Sequence, residues 1–294
     1  MIDVQGYLRF LEIESRRLSA VSLYPPLWPG LLTRRSAVLD FGLNRFAKRD
    51  GIGVEFGVYR GHSLRRSARR LPDRKFHGFD SFEGFPDDGR RDWRLDFSTV
   101  GLPAVPRNCR LWPGWFDATL PAFLDEISDP IGFLHIDCDI YSSTRQVLFA
   151  LRDRLKPGVV IVFDELLNYE TYLWNELLAL YEFLEETGYG MDWLAVHQHV
   201  RRPGETMDLI ESRSFPSWRS DQSRGYRQQA AGILTSARAT GASDVSTEEL
   251  ERRCRQFLRL SQQYSSLPIV DNNDEQYPAP GIATGNTVES PIVQ

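Results

Sequence analysis

Five short apolar segments between residues 53 and 164 alternate with segments of helical pattern, and this alternation restricts the fold more than any other feature of the chain. The apolar segments read GVEFG, KFHGFD, NCRLW, IGFLHID and GVVIVFD, and helices are predicted between them over 62–71, 116–127 and 142–155. Strands that are apolar on both faces and separated by helices are typical of a buried parallel sheet. The sequence therefore predicts an α/β, doubly wound fold with helices on both faces of a mostly parallel sheet.

The segments that flank this region predict the limits of a central domain. Residues 1–49 are expected to form an N-terminal helical cap, with an amphipathic helix over 4–18. A long helix is predicted over 169–187. Two further strands, MDWLAVH and TMDLIES, are expected to pair as an antiparallel edge. The central domain is therefore predicted to comprise residues 50–212.

The rest of the chain has a different composition. Residues 213–267 are predicted to be a helical C-terminal extension, with helices over 226–239 and 247–264. Residues 268–294 contain four prolines and several acids but no Lys or Arg. Such a segment buries too little apolar surface to offset its ordering entropy, so we expect a disordered tail.

Charge and cysteine content narrow the class of protein. The 35 Lys and Arg residues against 40 Asp and Glu residues give a net charge of −5, so the chain has no global positive field and nucleic acid is not an expected partner. The cysteines, Cys109, Cys138 and Cys254, form no CxxC pair, which favours a reducing, cytoplasmic compartment. No apolar run reaches the roughly 18 residues of a membrane helix, so no membrane partner is expected.

The first motif is the stretch from Val54 to Ser63, in which a strand ends in Glu55 and passes through Gly57 and Gly61 into a helix. The N–H groups and dipole of a helix N-terminus favour a carboxylate or a phosphate. The spacing differs from the GxGxxG of a dinucleotide site, so the motif disfavours binding of NAD. An ordinary tight turn is the simpler alternative.

The second motif, FDSFEG, places Asp80 at the end of the next predicted strand. In doubly wound folds, an acid at this position accepts hydrogen bonds from the hydroxyl groups of a ribose. The alternative is a capping Asp in a surface turn. The two motifs together indicate a nucleoside site more strongly than either does alone.

The third motif consists of acids at the ends of two later strands. Asp137 and Asp139 share a face of an extended segment, and Asp164 and Glu165 follow the next strand. If these strands are neighbours, Asp137, Asp164 and Glu165 converge at one edge of the sheet, where oxygen ligands suit Mg²⁺ rather than zinc. The alternative for Asp139 is that it caps the following helix.

Five stretches together carry a family resemblance. EFGVYRGHS, GFDSFEGFP, PGWFDATLP, IDCDIYSST and PGVVIVFDE occur in the order found in the macrocin O-methyltransferase family of class I S-adenosylmethionine-dependent methyltransferases, which residues 50–212 resemble. The resemblance implies a Rossmann-like, seven-stranded fold, bound S-adenosylmethionine, Mg²⁺ and methyl transfer to the hydroxyl of a small molecule such as a sugar or natural product. It implies cofactor-binding roles for Glu55, Gly57, Gly61, Ser63, Asp80, Ser81 and Trp115, and metal-binding roles for Asp137, Asp164 and Glu165.

The residue that takes the proton of the acceptor is less clear from the sequence. Some members of the family use a histidine in the segment after the ribose acid, and residues 83–107 contain none. An acceptor hydroxyl on a metal ion needs only a weak base, for which Asp137 or Asp139 would serve. His77 and His135 lie inside predicted strands and are interpreted as core or supporting residues.

Two other functions stay open at this stage. An NAD-dependent oxidoreductase is disfavoured by the missing glycine pattern. A non-catalytic methyltransferase-like module that binds a partner through 213–294 would explain the unassigned base and the long C-terminal segment. The methyl acceptor and the oligomeric state, a homo-oligomer included, are not fixed by the sequence.

Overall fold

A computed structural model describes residues 2–23, 36–86, 101–198, 200–215, 228–238 and 245–264. The predicted disordered tail at 268–294 lies outside these residues. No helix within the described ranges has both the length and the apolar character needed to cross a membrane.

The described residues contain a seven-stranded sheet in the order β3-β2-β1-β4-β5-β7-β6. The strands are β1 Ile52–Phe56, β2 Phe76–Asp80, β3 Cys109–Pro113, β4 Ile131–Ile136, β5 Val160–Phe163, β6 Gly190–Val196 and β7 Ala230–Thr235. Strand β7 is antiparallel to both of its neighbours, β5 and β6, and the pairings among β1 to β5 are parallel. The predicted α/β fold with a mostly parallel, seven-stranded Rossmann-like sheet is confirmed.

Eight α-helices lie within the described ranges. They are α1 Val4–Ala20, α2 Ala37–Phe46, α3 His62–Arg70, α4 Phe116–Glu126, α5 Tyr141–Ala150, α6 Glu176–Thr187, α7 Pro203–Glu211 and α8 Thr247–Tyr264. The predicted helix over 169–187 is divided: a short 3₁₀ turn over Tyr172–Trp174 precedes α6.

Helices cover both faces of the sheet, and alternate strand residues enter different cores. Phe133, Val160 and Val162 pack with residues of α2 and α3 on one face. Leu134 and Ile136 face the other way, into a larger core with residues of α4, α5 and α6. The N-terminal helices are therefore part of the packed molecule, since α2 lies on the sheet and α1 contacts α8, β6 and α7.

Two predicted elements are wrong. The segment predicted as a helix over 226–239 contains strand β7, because a short apolar run such as AAGILT does not distinguish a buried strand from a helix by its period. The segment TMDLIES, predicted as a strand, lies in helix α7, which begins at Pro203, a residue favoured at the first helical position. Strand β6 is confirmed as antiparallel, but its partner is β7.

Candidate active site

The carboxyl ends of the central strands open into one cavity of about 1040 Å³. Its lining includes most of the site residues predicted from sequence, namely Gly57, Ser63, Asp80, Ser81, Trp115, Asp137, Asp139, Asp164 and Glu165. Glu55 is buried and bonded to the lining residue Ser63, whose Oγ donates to Glu55 Oε1 over 2.8 Å. Gly61 caps α3 in a left-handed conformation (φ 70°).

The turn from β1 into α3 requires glycine at its first position. Gly57 has φ 88°, and a Cβ added there would lie 1.7 Å from the carbonyl oxygen of Asp137. The backbone at the end of β1 therefore touches the backbone at the end of β4. This close approach brings the first motif against the acids of the third.

Asp80 holds this turn in place. One carboxylate oxygen accepts hydrogen bonds from the backbone N–H groups of Val58 (2.8 Å) and Tyr59 (2.7 Å), and the other accepts from the N–H of Phe82 (2.7 Å). A carboxylate has about four acceptor positions, so one is still available to a ligand. Asp80 therefore connects the first two motifs as well as lining the cavity.

Ser81 and Trp115 line the same cavity as Asp80. The Ser81 hydroxyl donates to the carbonyl of Gly84 over 2.9 Å, which stabilises the turn after β2. Trp115 precedes α4 and keeps 38% of its surface exposed. A half-exposed indole at a cavity wall offers a flat apolar surface for an aromatic ring.

Asp137 and Asp164 lie next to each other because β4 and β5 are paired. Ile136 is opposite Phe163, and the N–H of Asp164 donates to the carbonyl of Ile136 over 2.9 Å. Burial, followed by the charges of Asp164 and Asp139, raises the pKa of Asp137 well above its usual value. Asp139 also lines the cavity, in a left-handed conformation (φ 64°) with its N–H 3.3 Å from Glu176 Oε1.

The structure adds His135 to this acidic pair. The possible ligand atoms of His135, Asp137 and Asp164 all lie within 4.8 Å of one another. Glu165 lines the same cavity but is not part of that group. His135 had been interpreted as a core or supporting residue, although strand alternation places it on the same face as Asp137, and this signal could have found it.

The His135 ring is oriented by a buried carboxylate. Its Nδ1 lies 2.9 Å from Glu55 Oε2, and the register of β1 and β4 places the two residues side by side. Burial opposes a charged ring, but the hydrogen bond and charge of Glu55 outweigh it and raise the pKa of His135. Nε2 is buried, and within the described part of the chain it makes no hydrogen bond.

Gln229 is a site residue that the sequence did not reveal. It lies just before β7, in the segment predicted as a helix, and its Nε2 donates to Asp164 Oδ1. The predicted loop 83–107, which holds Asp87, Asp88, Asp92 and Asp96, is described only at 83–86 and 101–107. Those four acids lie outside the described residues.

Residues 54–166 match the model of a family described as a methyltransferase domain. The curated relatives include an 8-demethyl-8-(2,3-dimethoxy-alpha-L-rhamnosyl)-tetracenomycin-C 4'-O-methyltransferase from Streptomyces olivaceus, 33% identical over 38% of this chain. They also include a demethyldecarbamoylnovobiocin O-methyltransferase from Streptomyces niveus, 31% identical over 38% of this chain. The matches span about half the length of these relatives, 51% of each.

Solved structures with a similar course of the chain include a calicheamicin methyltransferase and the O-methyltransferase NovP. The match to the calicheamicin methyltransferase is 24% identical and spans 61% of this chain and 86% of that enzyme, with a TM-score of 0.44. The second is 17% identical and covers 79% of this chain and 100% of its own, with a TM-score of 0.45. The residues that match the methyltransferase-domain family, 54–166, include almost all of β1 to β5.

Proposed function

We propose that this chain is an S-adenosylmethionine-dependent O-methyltransferase that uses a divalent cation and acts on a hydroxyl group of a small molecule, a sugar or another natural product. Two findings support the class of reaction: the family match over 54–166 and the two relatives named as O-methyltransferases. The resemblance of the five sequence stretches to the macrocin O-methyltransferase family supports the type of acceptor.

One observation carries the proposal. A single cavity is lined by the Asp80 turn, which suits a nucleoside, and by the acidic pair Asp137 and Asp164, which suits a cation and a hydroxyl. Its volume of about 1040 Å³ lies at the upper end of the range for small-molecule pockets, which favours a cofactor together with an acceptor. The arrangement favours transfer between two bound molecules.

Different residues of the cavity would bind different parts of S-adenosylmethionine. Asp80 would use its remaining acceptor position for the ribose, and Trp115 would lie beside the adenine. The N-terminus of α3, next to Gly61, would hold the methionine carboxylate. When bound, S-adenosylmethionine would supply the methyl group, carried on a positively charged sulfur.

The donor set at the acidic pair fits a divalent cation. Asp137 and Asp164 are close together and largely buried, and the repulsion between them is relieved when a cation lies between them. Such an ion would supply orientation and acidification of the acceptor hydroxyl. Asp137 or Asp139 would then accept the proton, and Glu165 is the further acid that the sequence predicts as a ligand.

Calorimetric titration tests the proposed function. S-adenosylmethionine and its demethylated product should each bind the full chain, with and without Mg²⁺, whereas NAD should not. The acceptor class is then tested with a panel of hydroxyl-bearing sugars and glycosides, in which we expect transfer to oxygen. Binding of NAD in place of S-adenosylmethionine would overturn the proposal.

A further inference from the structure

We propose that the cation is held by a nitrogen as well as by oxygens, with His135 Nε2 as a ligand beside Asp137 and Asp164, and that the site therefore prefers Mn²⁺ to Mg²⁺. The inference deepens the metal-assisted part of the function proposed above and rests on it. It replaces the all-oxygen set of Asp137, Asp164 and Glu165 that the sequence predicts.

The first argument is the position of the His135 ring. Only 1% of this residue is exposed, Nε2 has no hydrogen-bond partner among the described residues, and a nitrogen of the ring lies within 4.8 Å of a carboxylate oxygen of each acid. A buried polar atom without a partner costs free energy comparable to a lost hydrogen bond. The ligand atoms of one small divalent ion lie about 3–4 Å apart, so an ion at this position would bind Nε2 together with the two carboxylates.

The second argument is the way the ring is oriented. Because Nδ1 lies against the carboxylate of Glu55, that nitrogen donates its proton to Glu55, and Nε2 is the nitrogen left to bind an ion. Ser63 in turn donates to the other oxygen of Glu55, so the carboxylate has a fixed orientation. A ligating histidine commonly donates its other ring N–H to a carboxylate, which sets the tautomer and raises the basicity of the ligand.

The mixed donor set determines which ion suits the site. Mg²⁺ favours oxygen ligands, whereas an imidazole suits transition ions, and Mn²⁺ tolerates carboxylates as well. Asp164 is itself bonded by Gln229, which orients one of the two acids. One imidazole with two carboxylates therefore favours Mn²⁺ over Mg²⁺.

Electron paramagnetic resonance of Mn²⁺ bound to the full chain tests the ligand directly. We expect a ¹⁴N modulation from the bound imidazole, and we expect it to disappear when the histidines are labelled with ¹⁵N. His135→Gln should remove the modulation and weaken Mn²⁺ binding by at least the roughly 10–100-fold that loss of a residue supporting a ligand usually costs. Mg²⁺ binding should fall less.

His77→Gln is the matched control. His77 is also a buried strand histidine, but its ring accepts from the indole N–H of Trp112 (3.1 Å) and it does not line the cavity. It should keep the modulation and the Mn²⁺ affinity. If His135→Gln fails to fold, Glu55→Gln, which keeps the imidazole but changes its acceptor, should weaken Mn²⁺ binding while the modulation stays.

Two outcomes would overturn the inference in distinguishable ways. Mn²⁺ bound without ¹⁴N modulation would show an all-oxygen site and would leave the metal-assisted function standing. No binding of Mn²⁺ or Mg²⁺, in a protein that still binds S-adenosylmethionine, would remove the metal from both proposals. Loss of S-adenosylmethionine binding in the titration above would instead contradict the proposed function itself.

Discussion

At the scale of single residues, Asp80 has a larger role than its motif suggested. Sequence reasoning placed it against a ribose, and the structure shows three backbone N–H groups from two turns on the same carboxylate. Such contacts depend on the folded positions of residues 58, 59 and 82, so no local pattern reveals them. Asp80 therefore supports the fold as well as the proposed cofactor site.

Asp80→Asn should reduce both stability and cofactor affinity. The amide replaces one acceptor oxygen by an N–H₂ group that faces backbone donors, so we expect a loss of about 1.5–3 kcal/mol in the free energy of unfolding. Urea denaturation measures the stability and calorimetry the affinity for S-adenosylmethionine. Asp73→Asn, at an exposed position, is the control and should change neither.

Gly57→Ala should destabilise the protein strongly, and Gly188→Ala separates the effect of the steric clash from that of the positive φ. The added methyl group would meet the carbonyl of Asp137 in addition to the strain of a positive φ, so we expect a loss of about 3 kcal/mol or more. Gly188→Ala has a similar positive φ with nothing within 4 Å of the new Cβ, and should cost about 1 kcal/mol. Equal losses in thermal or urea unfolding would contradict the close approach.

His77 should make the protein sensitive to acid. Burial, followed by the charges of Arg110 and Lys75, lowers the pKa of His77 to about 4, and its Nδ1 accepts from Trp112. Because the unfolded chain takes up this proton near pH 6.5 and the folded chain does so only near pH 4, stability falls as the pH drops through that window. Urea unfolding between pH 7 and 4.5 should show a smaller drop for His77→Gln; parallel curves would exclude this role.

At the scale of elements, the parallel strands were predictable and the antiparallel one was not. Strands β1, β2, β4 and β5 each carry an apolar run that leads into an informative residue, whereas the short run of β7, AAGILT, begins with two alanines and a glycine and leads into none. Its identity as a strand comes from the neighbours it pairs with, β5 and β6, on both sides. Gln229 was missed for the same reason, because it becomes a site residue only through the position of β7.

Two truncations compare the contribution of β7 to stability with that of the predicted disordered tail. A chain ending at residue 227 lacks β7 and leaves β5 and β6 without their shared partner, so we expect it to lose cooperative thermal unfolding. A chain ending at residue 267 removes only the segment predicted to be disordered and should keep the melting temperature of the full chain. A cooperative transition in the shorter chain would show that β7 is dispensable.

At the scale of the whole molecule, the proposed cation would link the stability of the protein to the acidic pair. The raised pKa of Asp137 means that its ionised form is costly in the fold, so without metal this group makes the protein less stable as the pH rises above about 4. A cation that binds only the folded state offsets this cost, by about 2.7 kcal/mol at a concentration of 100 times its Kd.

Asp137→Asn should remove this linkage. At neutral pH without metal, the variant should be as stable as the wild type or more stable, because one of two neighbouring anions is neutral. The wild type should gain thermal stability on addition of Mn²⁺ or Mg²⁺ and lose it with a chelator, and the variant should respond to neither. A wild type that ignores both additions would argue for a metal-free site.

The late position of β7 along the chain has a consequence for biosynthesis. Strands β1 to β6 leave the ribosome before the strand that belongs between β5 and β6, so the nascent chain exposes two unpaired strand edges until residue 235 has emerged. Gln229, which holds Asp164, arrives in the same interval. The cavity is therefore complete only once β7 has emerged, and until then the unpaired edges of β5 and β6 favour aggregation.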